Sequence, residues 1–207
     1  MAPKIIGITG ISCCGKTTIA KRLCEELGSQ SIYLTLDDYY KELTPEQYKI
    51  LYSDDSNINF DAPEAFNYEL LTKHLTDLKN GKSVSSPSYD VGKCVITSYN
   101  QIDGSKYKYI ILDGIMIFSK PEITNLCDVK IWVETSEYVC ALRRMIKYTQ
   151  DIEGYSQNYT YNQCLKFVIP GQEMYVKPQK STCEFFVNGD HMEKNVEIIK
   201  AYVLSLK

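Results

Sequence analysis

Residues Gly10-Ile11-Ser12-Cys13-Cys14-Gly15-Lys16-Thr17 fit the pattern G-x-x-x-x-G-K-[ST]. Glycines at both ends let the backbone turn where a Cβ is forbidden. The N–H groups of such a loop, with the positive end of a following helix, face one point that suits a polyphosphate. Lys16 is then expected to reach the β- and γ-phosphates and the Thr17 hydroxyl to ligate Mg²⁺, with Gly10 through Thr18 as the nucleoside triphosphate site. Two further carboxylate positions could take part. Asp113 ends the apolar run Tyr109-Ile110-Ile111-Leu112, where an acidic group can hold a Mg²⁺ water opposite Thr17. Asp37 and Asp38 end a second apolar run, and phosphoryl transfer to a hydroxyl needs a carboxylate able to take its proton. Side chains of adjacent residues diverge, so only one of the pair can face a γ-phosphate. Position alone leaves a catalytic base and a pair of turn carboxylates equally open. Cys14, beside Lys16 at a helix N-terminus, sits where positive potential favours a thiolate, although positions 11–14 of such a loop also accept any small residue.

These groups need a scaffold that brings them to one edge. Ile5 to Thr9 reads as a buried strand and Ile19 to Leu27 as the helix after the loop. Ser31 to Leu36, Tyr107 to Leu112, Val129 to Val133 and Phe185 to Val187 read as further strands. Helices are expected at about Pro45–Leu51, Glu64–Lys79, Ser136–Lys147, Asn162–Tyr175 and Met192–Leu206. In the second of these, Phe66, Leu70, Leu71, Leu75 and Leu78 face inward, and Asn80-Gly81 stops it. Lys82 to Tyr99 alternates polar and apolar residues as a β-hairpin does. Tyr148 to Tyr161 lacks apolar periodicity and reads as a mobile lid. Strands alternating with helices imply an α/β fold with a mostly parallel sheet flanked by helices. Ligands in such sheets bind beyond the strands' C-terminal ends.

The chain resembles the uridine (uridine–cytidine) kinases, relatives of nicotinamide riboside kinases and phosphoribulokinase among the P-loop kinases. The resemblance runs from Lys4 to about Gly189. It rests on the loop above, Asp37-Asp38-Tyr39-Tyr40-Lys41, Asn59-Phe60-Asp61-Ala62-Pro63-Glu64-Ala65-Phe66 and Pro87-Ser88-Tyr89-Asp90. Ile111-Leu112-Asp113-Gly114-Ile115, Arg143-Arg144, Val168-Ile169-Pro170 and Tyr175-Val176-Lys177-Pro178 continue it. It implies a P-loop NTPase fold with the hairpin over a nucleoside site, and phosphorylation of the 5′-hydroxyl of uridine or cytidine by ATP (or GTP) with Mg²⁺. It places the base on Asp37 and the ribose-gripping carboxylate on Asp61, which can accept from both the 2′- and 3′-hydroxyls. Tyr40, Phe60 and Tyr89 fall on aromatic pocket positions, Arg144 and Lys147 on the basic pair leading into the lid, and Gln163 on a nucleoside-contacting glutamine. In the notional reaction Lys16 and Arg144 balance phosphate charge. Two departures stand out. The family's lid carries Arg-Gly-Arg where this chain has Glu153-Gly154-Tyr155, and its base-reading His and a following Arg fall on Cys94 and Ile96. A nicotinamide riboside kinase or other ribosyl small-molecule kinase is the alternative enzyme, and a nucleotide-binding protein without turnover is the alternative from another class. The resemblance also implies a homotetramer.

Composition narrows the classes. The chain has 207 residues, 44% hydrophobic and 24% charged, which suits one ordinary globular domain spanning 1–207. A net charge of −3 leaves no basic footprint for nucleic acid. No run is long enough to span a membrane, and neither a leader nor an anchor is legible, so a small-molecule partner and a cytoplasmic setting are expected. There the eight cysteines are thiols. His74, among Leu70, Leu71 and Leu78, reads as a core residue, and His191 as the start of the last helix.

Overall fold

The structure is a computed structural model that describes residues 2–51, 57–151 and 156–206. Its centre is a five-stranded, fully parallel sheet in the order β2-β5-β1-β6-β7. The strands are β1 (Lys4–Thr9), β2 (Ser31–Thr35), β5 (Tyr109–Asp113), β6 (Val129–Glu134) and β7 (Phe185–Asn188). β1 lies between β5 and β6, and Ile5, Ile6 and Ile8 are wholly buried, the continuous apolar run that a strand covered on both faces requires. Helix α1 (Lys16–Leu27) packs on β1, β2 and β5 and against α8 (Met192–Ser205). Among the described residues no helix is long and apolar enough to cross a membrane.

Register puts the reactive positions at one height. Asp113 of β5 pairs with Ile8 of β1 on one side and Thr35 of β2 on the other. Gly10 and Asp37 each lie two residues past those partners, so the loop and the acidic pair leave the sheet at the same level. The switch from β1 leftward to β2 and rightward to β6 opens a crevice there.

A separate antiparallel pair, β3 (Ser83–Asp90) and β4 (Val95–Asp103), forms the expected hairpin, longer than its alternation indicated. Helix α2 (Pro45–Lys49) carries a capping box between Thr44 and Gln47. Helix α3 (Tyr68–Lys79) starts four residues later than its apolar pattern suggests. Asn67 caps it through the Leu70 N–H, and Phe66 is drawn into an isolated bridge and a ring stack with Tyr40, centroids 4.2 Å apart. Leu71, Leu75 and Leu78 are buried as expected, and Leu70 is partly covered. His74 is a core residue whose Nδ1 pairs with the Tyr39 hydroxyl at 3.0 Å. A short helix, α4 (Pro121–Leu126), was not legible in the pattern.

The stretch expected as a lid is helical at both described ends. Helix α5 (Glu137–Asp151) runs past Lys147, because Tyr148 folds back on Arg144 and the Thr149 hydroxyl donates to the Met145 carbonyl at 2.6 Å. Helix α6 (Gln157–Gln163) begins at a Ser156 cap, earlier than Asn162. It continues through a π-helical turn (Cys164–Val168), the short α7 (Ile169–Gly171) and a second π turn (Gln172–Val176). Pro170, lacking an N–H, sits between the two widened turns. Glu153-Gly154-Tyr155 lies outside the described residues.

Candidate functional site

The phosphate loop is held in shape from several sides. Gly10 has φ +154°, and a Cβ there would stand 2.6 Å from the Val133 carbonyl oxygen and 2.7 Å from the Cys14 sulfur. The Thr135 hydroxyl donates to the Cys14 carbonyl at 2.9 Å, and the Thr9 hydroxyl donates to Gly114 O at 2.9 Å. Ile11, within the loop, turns its side chain into the core. Gly15, at φ +99°, opens α1 directly, so the helix N-terminus faces the loop's hollow.

That hollow belongs to one cleft of about 630 Å³ that brings the sequence-predicted residues together. Ser12, Cys13, Gly15, Lys16, Thr17 and Thr18 line one part of it, with Asp37, Tyr40, Phe60, Asp61, Tyr89, Cys94, Arg144, Lys147 and Gln163 around the rest. Gly10, Ile11, Cys14 and Asp113 do not line it, and of these Cys14 departs from its expected role. It is wholly buried and burial raises its thiol pKa, so the expected thiolate does not form there. Its neighbour Cys13, thrown into φ +64°, is the loop cysteine that faces the cleft.

Lys16 is buried, and burial by itself would lower its pKa. Negative charge nearby outweighs that, first from Cys14, whose thiol can ionise at the high pH where the lysine titrates, then from Asp113 and Asp37, and the ammonium is raised above the ordinary lysine value. Asp113 is buried, accepts from the Thr17 hydroxyl at 2.5 Å and from the Tyr33 hydroxyl at 2.9 Å. A hydroxyl and a carboxylate side by side are hard oxygen donors, the set Mg²⁺ takes together with phosphate oxygens. Thr17 and Asp113 therefore fit the ion.

The two adjacent aspartates do diverge. Asp38 turns away and accepts from the Tyr89 N–H at 3.0 Å, fastening the hairpin to the end of β2. Asp37 faces the cleft. It is exposed to the solvent of the open cleft, which screens it, while the protein behind it still biases its charge. Desolvation, then repulsion from Asp113, pushes its carboxyl up to about 6 against the pull of Lys16 and Lys147.

At the far part of the cleft, Tyr40 meets Phe60 edge-on at 5.9 Å and lies 5.5 Å from Tyr89. Leu51, Ile58, Tyr89 and Cys94 form a small apolar cluster behind these rings. The Cys94 thiol donates to the Val91 carbonyl at 3.4 Å, so it is already engaged within the hairpin's own turn. Ile96 does not line the cleft; its N–H donates to Glu42 at 2.9 Å. Between the two parts stands Arg144, whose Nη1 donates to Ser12 Oγ at 2.9 Å and whose Nη2 lies 3.5 Å from Asp61 Oδ2.

A family model for the phosphoribulokinase/uridine kinase family matches residues 5–194. The chain belongs to this family. It is 33% identical to a uridine kinase of Clostridium perfringens over 97% of this chain and 95% of that protein. A Staphylococcus aureus uridine kinase is 32% identical over 99% and 97%. Phosphoribulokinase from Rhodobacter spheroides has the same fold, with a TM-score of 0.65, 16% identity, and 90% of this chain and 70% of that one covered. A possible uridine kinase from Bacillus stearothermophilus superposes with a TM-score of 0.62 at 16% identity, covering 90% and 89%. As a member of the family, the chain is a phosphotransferase that acts on a hydroxyl group, with a nucleotide as phosphate donor. The reading of a nucleotide-binding protein without turnover is thereby set aside.

Several residues in or behind the cleft of this family member were given no role from sequence. Tyr33 shares a strand face with Thr35, a usable signal, but its partner Asp113 is 80 residues away. Tyr148 stands four residues after Arg144, the spacing of a helical pair. Arg143, Gly189 and Met192 line the cleft beside Gly15 and Thr18, and Arg143 pairs with Asp190 at 2.9 Å. Arg143 belongs to the Arg143-Arg144 motif but was given no role there, and no sequence pattern marked Gly189 or Met192.

Proposed function

We propose that the chain transfers the γ-phosphoryl group of Mg·ATP to the 5′-hydroxyl of uridine or cytidine. The observation that carries this is one cleft that sets the Asp37 carboxylate between a phosphate loop and an aromatic recess with Asp61 at its edge; desolvation and the repulsion of Asp113 raise that carboxyl to about 6. A base with a pKa near the working pH holds its charge and still accepts a proton readily. The uridine kinase relatives favour a nucleoside as the acceptor.

In this reading the acceptor's ring lies against Tyr40, Phe60 and Tyr89, with Gln163 at the same wall. Its vicinal diol meets Asp61, which accepts, and Arg144, which donates. The donor's phosphates occupy the loop, where Lys16 and the backbone N–H groups of Gly10 to Thr18 balance their charge. Its base lies toward Arg143, Gly189 and Met192. Asp37 takes the 5′-hydroxyl proton as the oxygen attacks in line, and Lys147 attracts the transferring group. Thr17 and Asp113 would hold Mg²⁺, which when bound supplies charge neutralisation at the β- and γ-oxygens.

A second reading draws on the aromatic recess itself. With the Cys94 thiol engaged by Val91, the hairpin side offers rings rather than polar groups, and ring faces suit the cationic heterocycle of nicotinamide riboside. Turnover of a nucleoside panel with Mg·ATP separates the two: uridine and cytidine lead if the first reading holds, and nicotinamide riboside leads if the second does.

A further inference from the structure

Arg144 carries more than its hydrogen bonds can hold. It is nine-tenths buried; its hydrogen bond to Ser12 at 2.9 Å is firm, its contact with Asp61 at 3.5 Å is loose, and the only other polar partner beside it among the described residues is the Cys164 thiol, a weak acceptor. At 3.5 Å the Asp61 contact is at the limit of a hydrogen bond and fixes little orientation. Nε is buried and makes no hydrogen bond, so that nitrogen does not fix the group's orientation. What does lie against the guanidinium is an aromatic face. The Tyr148 ring sits 4.4 Å from the guanidinium carbon, one helical turn along α5, and the Lys147 ammonium is 5.6 Å from the same ring.

We propose that Tyr148 is a positioning residue, a shelf that holds the Arg144 guanidinium flat across the cleft so that one cation serves both the phosphate loop and the acceptor's sugar. The spacing i, i+4 puts the ring over the guanidinium with no tertiary help. The ring's negative face favours the cation most where water is thin, as it is here. The same ring accepts Lys147 on the next position, so two like charges share one neutral partner instead of repelling across open space. The phenol stays protonated because burial raises its pKa, with Asp37 and Asp61 adding to the rise and Arg144 opposing it. It therefore adds no competing negative charge beside Asp61.

The sugar half of this proposal rests on the reading of Asp61 and Arg144 as the ribose grip, and the experiment separates the two. Tyr148→Leu, Tyr148→Phe, Arg144→Lys and the Tyr148→Leu/Arg144→Lys double variant are made in the full chain. Uridine and 2′-deoxyuridine are the acceptors, with Mg·ATP as donor. Tyr148→Leu is expected to raise the acceptor KM about 3- to 30-fold, with a smaller change in kcat, and to cut the ribose-to-deoxyribose ratio of kcat/KM by the same factor. Tyr148→Phe, which keeps the ring face, recovers both to within about threefold. In the Arg144→Lys background the Leu substitution adds less than about twofold, because the group it positions is gone. Unchanged KM and ratio in Tyr148→Leu, or effects that multiply fully with Arg144→Lys, overturn the proposal. If the unmodified protein shows no preference for ribose, the sugar-grip reading fails instead. Ligand-free melts of the same four proteins then decide the shelf: non-additive shifts in Tm support it, and additive shifts overturn it.

Discussion

Replacing Asp37 by Asn removes a charge that the fold holds against its own interest. The carboxyl moves from an ordinary 3.8 to about 6 in the folded chain. Such a displacement corresponds to about 3 kcal/mol at full burial. Solvent in the open cleft screens the site, and about 1 kcal/mol is the realistic share. The direction follows from proton binding. Well below 3.8 the carboxyl is neutral in folded and unfolded chains alike and costs nothing. Between 3.8 and about 6 the unfolded chain releases its proton first, so folding is progressively penalised, and above 6 the penalty is complete. Asp37→Asn should therefore raise Tm by about 2–4 °C at pH 7.5, less at pH 5, and not at all at about pH 2.8, a unit below the unfolded pKa. The same variant should lose turnover by about 10²- to 10⁴-fold, since the amide cannot accept the hydroxyl proton. Scanning calorimetry without ligand at the three pH values, beside steady-state kinetics at pH 7.5, checks both halves. No gain in Tm at pH 7.5 would refute the desolvated carboxylate, and turnover within tenfold of the parent would refute its role as base.

Three more outcomes can be checked directly. Gly171→Ala places a methyl 2.4 Å from the Asp61 carbonyl oxygen; the acceptor KM should rise about tenfold while the donor KM holds, and steady-state kinetics with each substrate varied would show it. N-ethylmaleimide should inactivate through Cys13 and be blocked by ATP, so that Cys13→Ser resists and Cys14→Ser does not; equal protection by both substitutions would contradict the geometry. Uridine and cytidine should be used with kcat/KM within about tenfold of each other, because ring contact tolerates either edge, and a thousandfold preference would mean that other groups read the base.

The fold was legible wherever a local pattern decides it. The β-branched run of β1, the loop glycines and the Asn80-Gly81 stop each carry their reason within a few residues, and Gly81 does adopt φ +73°. The start of α3 was not, because Phe66 is claimed by Tyr40, a residue 26 positions away. The reach of α5 was hidden too, since the contacts that prolong it join Tyr148 to Arg144 and Thr149 to Met145 in a stretch without apolar period. At the site, residue types with a chemical motif were found, and Asp37 was preferred to Asp38 through the resemblance, since position alone did not separate them. The physical reason is tertiary: the hairpin arrives at Asp38 through the Tyr89 N–H, which leaves Asp37 facing the cleft. Cys14 was misread for the complementary reason: position at a helix N-terminus favours a thiolate, but desolvation from packing under the loop is the larger effect.

The central claim is the acceptor, and product identity tests it most directly. The purified protein is given Mg·ATP and an equimolar mixture of uridine, nicotinamide riboside and ribulose 5-phosphate, and the products are resolved by phosphorus NMR. The account predicts a new 5′-phosphomonoester on uridine as the first product, absent when Asp37 is Asn. Phosphate appearing first on the sugar phosphate or on nicotinamide riboside, with uridine untouched, would contradict it.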